Sequence, residues 1–227
     1  MEKKKYDLCL ELLRRLKHEG VLDRLVLVGS WCTLLYQEYF SENSHVPALR
    51  TRDIEFLVPI PPKFPRKIDL PELLKDLGFV VDHKGSEGFI QLFHPDLILE
   101  FLAPSRGRER QEPYPVPDLG INAHPLRFMD VLAENTIAMK LEGISVKVPH
   151  PAHFALHKLL IAGRRKNPEK APKDRAQAVG ILKSLRATGE MDVARTLFAK
   201  FPASWQQTIR AELTALGEQT LMNSGSI

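Results

Sequence analysis

The sequence is poor in cysteine and has no long apolar run, and each shortage removes a class of protein. Only two cysteines, Cys9 and Cys32, occur in 227 residues, and they stand far apart. A structural zinc site needs three or four good ligands at short spacing and a disulfide framework needs more thiols, so both read as buried thiols in helical patterns. Every hydrophobic stretch is broken by a charged or polar residue well short of the roughly 18 positions that a membrane-crossing helix requires. The opening Met1-Glu2-Lys3-Lys4-Lys5 leads into an amphipathic pattern without an apolar core or small-residue cleavage site, so the expectation is a cytoplasmic protein with no membrane partner. There is no internal repeat, and the only biased segment is the polar tail 223–227.

Excess charge is also lacking. The formal net charge of +4 is a mild tilt toward polyanions. It is unevenly placed, however, with Arg164, Arg165, Lys166, Lys170, Lys173 and Arg175 diluted only by Glu169 and Asp174. A hydrophobic fraction of 44% is that of an ordinary globular protein, enough for one large domain or two small ones.

The periodicities then give the elements. Leu8, Leu12, Leu13 and Leu16 predict an amphipathic helix over 6–18, with Arg14, Arg15 and Lys17 on its wet side. A strand at 25–28 runs into Gly29-Ser30, after which Trp31, Leu34, Leu35 and Tyr39 recur at helical spacing. Residues 41–52, with Pro47, read as a loop. A strand over 53–58 is stopped by the prolines at 59, 61, 62 and 65, and a short helix follows from Pro71 to Leu77. Runs at 78–81, 89–93 and 97–102 predict a meander with turns at Lys84-Gly85-Ser86 and His94-Pro95-Asp96.

Pro104 to Pro125 has little periodicity and is the candidate boundary, giving expected domains of 1–115 and 116–227. Beyond it come a short helix at 127–134, a hairpin pairing 136–141 with 144–148, and helices at 153–163, 176–188, 192–200 and 204–216, set apart by prolines at 149, 151, 168, 172 and 202. The fold class is α+β: a mixed sheet flanked by helices, then a mainly helical C-terminal region.

Three acids stand out in this frame. Successive strand residues face opposite ways, so Asp53 and Glu55 share one face while Ile54, Phe56 and Val58 take the other. Glu100 lies in a second strand that reads as buried, between Leu97-Ile98-Leu99 and Phe101-Leu102. Carboxylates about 4 Å apart repel by roughly 4 kcal/mol per pair at an effective dielectric near 20. A metal ion would relieve that repulsion, as would Arg50 and Arg52; without either, one acid would stay protonated. Mg²⁺ or Mn²⁺ held by Asp53, Glu55 and Glu100 would suit phosphoryl chemistry, where the protein mainly positions a triphosphate and neutralises developing charge. Gly29 and Ser30 open a helix whose free N–H groups would meet the phosphates, although Gly-Ser before a helix is also a plain N-cap.

Strand, Gly29-Ser30, helix, Asp53-Ile54-Glu55 and a later Glu100 resemble the nucleotidyltransferase superfamily of the DNA polymerase beta type. The stretch from Val28 to Leu34 and the long interval before Arg52-Asp53-Ile54-Glu55-Phe56 are most similar to AbiEii-like and related uncharacterised bacterial members. The resemblance extends to Val148-Pro149-His150-Pro151, the following helix with Lys158, and Lys173-Asp174. It implies a nucleotidyltransferase-like sheet, with Asp53, Glu55 and Glu100 as catalytic and metal-binding residues. Gly29, Ser30, Lys158 and Asp174 would be nucleotide-binding residues, with Asp174 orienting Lys158 or an arginine. Lys158 reads equally well as a surface lysine with its stem along the apolar surface. His153 and His157, four apart without a third ligand, read as surface or packing residues. Glu55 replaces the commoner second aspartate, and Thr51-Arg52 stands where many members carry serine. The expected reaction moves an NMP from an NTP, ATP among them, to a hydroxyl acceptor: RNA such as a tRNA end, a protein or a small molecule. A toxin–antitoxin setting is implied for such members, and an inactive nucleotide- or nucleic-acid-binding module is the rival reading.

Overall fold

The computed structural model describes residues 2–46, 51–85, 87–105, 112–165 and 169–222. Pro47, Arg50, Ser86, Lys166, Pro168, the 106–111 stretch and the 223–227 tail lie outside the described residues. Two compact units form: Met1–Cys32 with Arg50–Pro149, and Thr33–Leu49 with His150–Ile227. These units do not coincide with the 1–115 and 116–227 division expected from composition, because the hairpin before Pro149 groups with the sheet.

In the first unit, α1 (Glu2–His18) buries Cys9, Leu12, Leu13 and Leu16 and turns Arg14 and Lys17 to water, as its period requires. Arg15 Nη1 donates to the Leu73 carbonyl at 3.0 Å, and Arg15 Nη2 donates to Asp76 Oδ2 at 2.8 Å. Burial pushes the Cys9 thiol up to about 12, with Lys5 pulling weakly the other way, so it stays protonated and inert. Among the described residues, seven strands form one mixed sheet: β1 (Val26–Val28), β2 (Asp53–Leu57), β3 (Val80–Lys84), β4 (Phe89–Phe93), β5 (Ile98–Pro104), β6 (Tyr114–Val116) and β7 (Ile121–Leu126).

Strand β5 organises this sheet. One edge pairs in parallel with β2 along its length; the other is shared, antiparallel β4 taking Ile98 to Glu100 and parallel β7 taking Leu102 to Pro104. The turn from β4 into β5 is closed by His94 N–H donating to Leu97 O at 2.8 Å and Leu97 N–H donating to His94 O at 3.2 Å. Strand β1 pairs antiparallel to β2, and β3 antiparallel to β4. Leu27, Ile54, Phe56, Leu99 and Phe101 are buried, and the Phe56 and Phe101 rings stack at 6.3 Å. Each such side chain contributes about 1.5–3 kcal/mol relative to exposure. A separate hairpin, β8 (Thr136–Leu141) with β9 (Ile144–Pro149), follows helix α4 (Met129–Glu134), which packs on β5 and β9.

Three details differ from the sequence reading. The helix expected from Pro71 to Leu77 is α3 (Leu70–Leu74) plus a 3₁₀ turn, capped by Asp69 Oδ1 accepting from Glu72 N–H at 3.1 Å. The strand expected at 78–81 runs from Val80 to Lys84. The stretch expected to be irregular contains β6 and β7. In β7 the buried positions Ile121, Ala123 and Pro125 do alternate, but alanine and proline are poor advertisements for a strand.

The second unit is helical. It comprises the greater part of α2 (Trp31–Phe40), then α5 (Pro151–Ala162), α6 (Lys170–Ala187), α7 (Met191–Lys200) and α8 (Ala203–Ala215). Helix α5 is packed by α6, α7 and α8 and is buried on nearly every side, the state expected of a helix apolar all round. His150 caps it, Nδ1 accepting from Ala152 N–H at 3.2 Å, and Tyr36 meets Phe154 edge to face at 5.3 Å. Helix α6 begins six residues earlier than the expected Ala176, since Pro172 falls in its first turn, where a missing N–H is harmless.

Candidate active site

The acidic strand pattern is realised. Burial along β2 alternates, Ile54 and Phe56 fully buried and Asp53 and Glu55 half-buried on the opposite face. Glu55 and Glu100 are direct register partners on the parallel pair β2 and β5, so their side chains leave the sheet side by side, and Asp53 lies two positions back along the same face. Thr51 Oγ1 accepts from Asp53 N–H at 3.2 Å, fixing the entry to the strand.

Register also brings the Gly-Ser turn to this place. Val28 is the partner of Glu55, so β1 ends with Gly29 beside that carboxylate. Gly29 has φ +71°, and a Cβ there would overlap the Glu55 carboxylate. Only glycine combines this left-handed backbone with so close an approach. Helix α2 starts two residues on, with Cys32 N–H donating to Gly29 O at 3.2 Å and Ser30 half-exposed before its first turn.

Sequence reasoning missed Lys84. From the end of β3 its Nζ donates to Glu100 Oε1 at 2.5 Å. Burial would lower the Lys84 pKa, but Glu100, and more weakly Asp53 and Glu55, outweigh burial and raise it. Among the described residues an ammonium thus supplies relief at Glu100, while Arg52 turns to the His94 carbonyl at 3.4 Å and to the Phe93 ring; Arg50 lies outside the described residues. Among the described residues no three ligating side chains gather closely enough to hold a metal ion. The donors nonetheless suit Mg²⁺ or Mn²⁺, which take hard oxygen ligands and are commonly held by one or two carboxylates plus phosphates. Glu55 and Glu100, paired in register, supply that minimum.

The other two expected residues belong to the second unit. Lys158 Nζ donates to Asp174 Oδ1 at 2.7 Å and Arg165 Nε to Asp174 Oδ2 at 2.6 Å, so the carboxylate is gripped on both oxygens. Burial would raise the Asp174 carboxyl, but Lys158 and Arg165 win and hold it below the ordinary range. Lys158 is only 6% exposed and lies 5.1 Å from the centre of the Phe154 ring, which replaces the picture of a surface lysine. His157 is 3% exposed with neither ring nitrogen partnered among the described residues, and His153 is buried as well, so both are packing residues. The basic cluster is partly consumed: Arg165 serves Asp174, and Arg175 Nε meets Glu212 Oε2 at 2.6 Å.

A cavity of about 270 Å³ in the first unit is lined by Arg24, Pro61, Lys63, Phe64, Thr136 and Lys147 among others, and by none of the expected site residues.

The glycine turn and the acids of β2 and β5 are the features by which the sequence resembles the nucleotidyltransferases. The sequence comparison agrees: a nucleotidyltransferase family profile matches residues 8–199, and the chain belongs to that family. No curated protein matches it. Among solved structures it is similar to the antibiotic-resistance factor ANT(2'')-Ia in solution, at 11% identity over 98% of this chain and 100% of that one, with a TM-score of 0.49. It is similar to crystalline ANT(2")-Ia in complex with adenylyl-2"-tobramycin at 12% identity over 96% and 92%, TM-score 0.42. A third similar structure is an antigenic nucleotidyltransferase-like protein from Paracoccidioides brasiliensis, at 12% identity over 90% and 92%, TM-score 0.43.

Proposed function

We propose that the chain is a metal-dependent nucleotidyltransferase that moves an NMP from an NTP to a hydroxyl acceptor. The observation that carries this reading is the register pairing of Glu55 with Glu100, with Asp53 on the same face and Gly29 against Glu55. Asp53 and Glu55, with Glu100, would hold Mg²⁺ or Mn²⁺, which supplies neutralisation of the triphosphate and of the leaving pyrophosphate. Glu100 takes the proton as the acceptor oxygen bonds to the α-phosphorus and the bond to the β-phosphate oxygen breaks. The Gly29-Ser30 turn offers N–H groups to the phosphates. The roles of Lys158 and Asp174 at the triphosphate rest on the sequence resemblance alone.

The finer parts of the reading are proposals of the same kind: AbiEii-like kinship, a bacterial and cytoplasmic setting with a toxin–antitoxin partner, ATP as a donor, and an RNA acceptor. The cations of 164–175 are weaker support for RNA than their number suggests, since Arg165 and Arg175 are engaged by carboxylates. A second reading, a nucleotide-binding module without turnover, draws on the Lys84 ammonium that engages Glu100.

Each α-labelled NTP, incubated with protein, Mg²⁺ or Mn²⁺ and total RNA, total protein or small hydroxyl compounds, distinguishes the two. Label should move to one acceptor class and be lost by at least about 10²-fold in Asp53→Asn, with unchanged thermal unfolding. A wild-type protein that binds metal–nucleotide but labels nothing is the inactive module.

A further inference from the structure

The acidic face carries more negative charge than the three expected residues. Asp82, Gln91, Glu100 and Glu55 form one row across β3, β4, β5 and β2, each the register partner of the next, so Asp82 shares the face. Gln91 Nε2 donates to Asp82 Oδ2 at 2.5 Å, joining the outer end of the row. Lys84 stands two residues beyond Asp82 on the same face, and its ammonium reaches diagonally over β4 to Glu100.

The two partners of that ion pair are unequally held. Glu100 has a side chain 17% exposed, anchored in the central strand of the sheet, whereas the Lys84 side chain is 56% exposed at the end of β3. Lysine is a compact charge on a flexible four-carbon stem, so it can leave without disturbing the strand. A divalent ion approaching Glu100 meets the ammonium's like charge and competes with it for Oε1, the oxygen that Lys84 engages.

We propose that Lys84 is a built-in counter-ion of the acidic face, which positions the Glu100 carboxylate and competes with the divalent metal for it. This rests on the metal-dependent reading above and adds to it a residue that sets metal affinity. Lys84 restrains the carboxylate when no metal is bound, and metal binding releases the ammonium toward solvent or an incoming anion.

The test is Mn²⁺ alone, titrated into the full-length protein without nucleotide, with free Mn²⁺ followed by electron paramagnetic resonance. Lys84→Met keeps the stem and removes the charge, Lys84→Gln is the second uncharged variant, and Lys84→Arg keeps the charge. Both uncharged variants should bind Mn²⁺ about tenfold more tightly, the effect expected of deleting one nearby charge, while Lys84→Arg stays within about threefold of wild type. With Glu100→Gln as background, removing Lys84 should change affinity by less than about twofold, because the competed ligand is gone. Equal Mn²⁺ affinity in wild type and both uncharged variants, with binding abolished by Asp53→Asn, overturns the counter-ion and leaves the transferase reading intact. Absence of Mn²⁺ binding in wild type and in every Lys84 variant overturns the counter-ion, while the label-transfer assay with nucleotide decides the transferase reading separately.

Discussion

Replacing His157 with leucine should flatten the acid side of the stability profile. The imidazole sits on α5 among Lys158, Arg165 and Asp174, and burial, reinforced by Lys158 and Arg165 against the opposing Asp174, lowers its pKa to about 3. In the unfolded chain the same ring takes a proton near 6.5. The folded value is the depressed one, so the stabilisation is complete above about pH 6.5 and is lost as pH falls toward 3. Each pH unit inside the window removes about 1.4 kcal/mol, so moving from pH 7 to pH 5 lowers wild-type stability by about 2 kcal/mol through this ring alone. Leucine has no proton to gain, and neither ring nitrogen gives up a partner among the described residues. His157→Leu should therefore match or exceed wild type at pH 7, since an unpartnered buried polar group costs about 1–3 kcal/mol. Urea unfolding of both proteins at pH 7 and pH 5 measures the difference of differences. His153, lowered to about 4 mainly by burial and then by His150 and Lys200, contributes equally to both proteins and cancels. Identical losses between pH 7 and pH 5 in the two proteins would refute the reasoning.

Two further substitutions probe the two units separately. Gly29→Ala imposes a left-handed conformation on a residue with a side chain, about 1–2 kcal/mol, and drives the new methyl against Glu55; thermal unfolding should fall modestly while nucleotidyl transfer falls by at least about tenfold. Asp174→Ala strands the buried Lys158 ammonium and should cost about 3 kcal/mol by urea unfolding, whereas the paired change Lys158→Met with Asp174→Leu should recover most of it.

How much of this was readable beforehand follows from how local each signal is. Asp53 and Glu55 against Ile54 and Phe56 is a pattern within five residues, and it forecast both the strand and the shared face. Glu100 was visible as an acid in an apolar run, though its pairing with Glu55 depends on a strand crossing that no short window contains. Lys84 was hidden because its partner lies one strand further over, and the residues around it read only as a turn. Lys158 carried a signal that was undervalued: a lysine in a helix apolar on every side has no wet face to reach, so burial with an anion was the better inference. The basic run at 164–175 shows its charge but not its partners, since Glu212, which pairs with Arg175, lies far along the chain.

The doubly bonded turn between β4 and β5 has a consequence for variation in length. Adding or removing a single residue between His94 and Ile98 would exchange inside for outside along the next strand, offering Leu99 and Phe101 to water and thrusting a carboxylate into hydrocarbon. The spacing of that short connection is thus as tightly restricted as the identity of the acid it delivers.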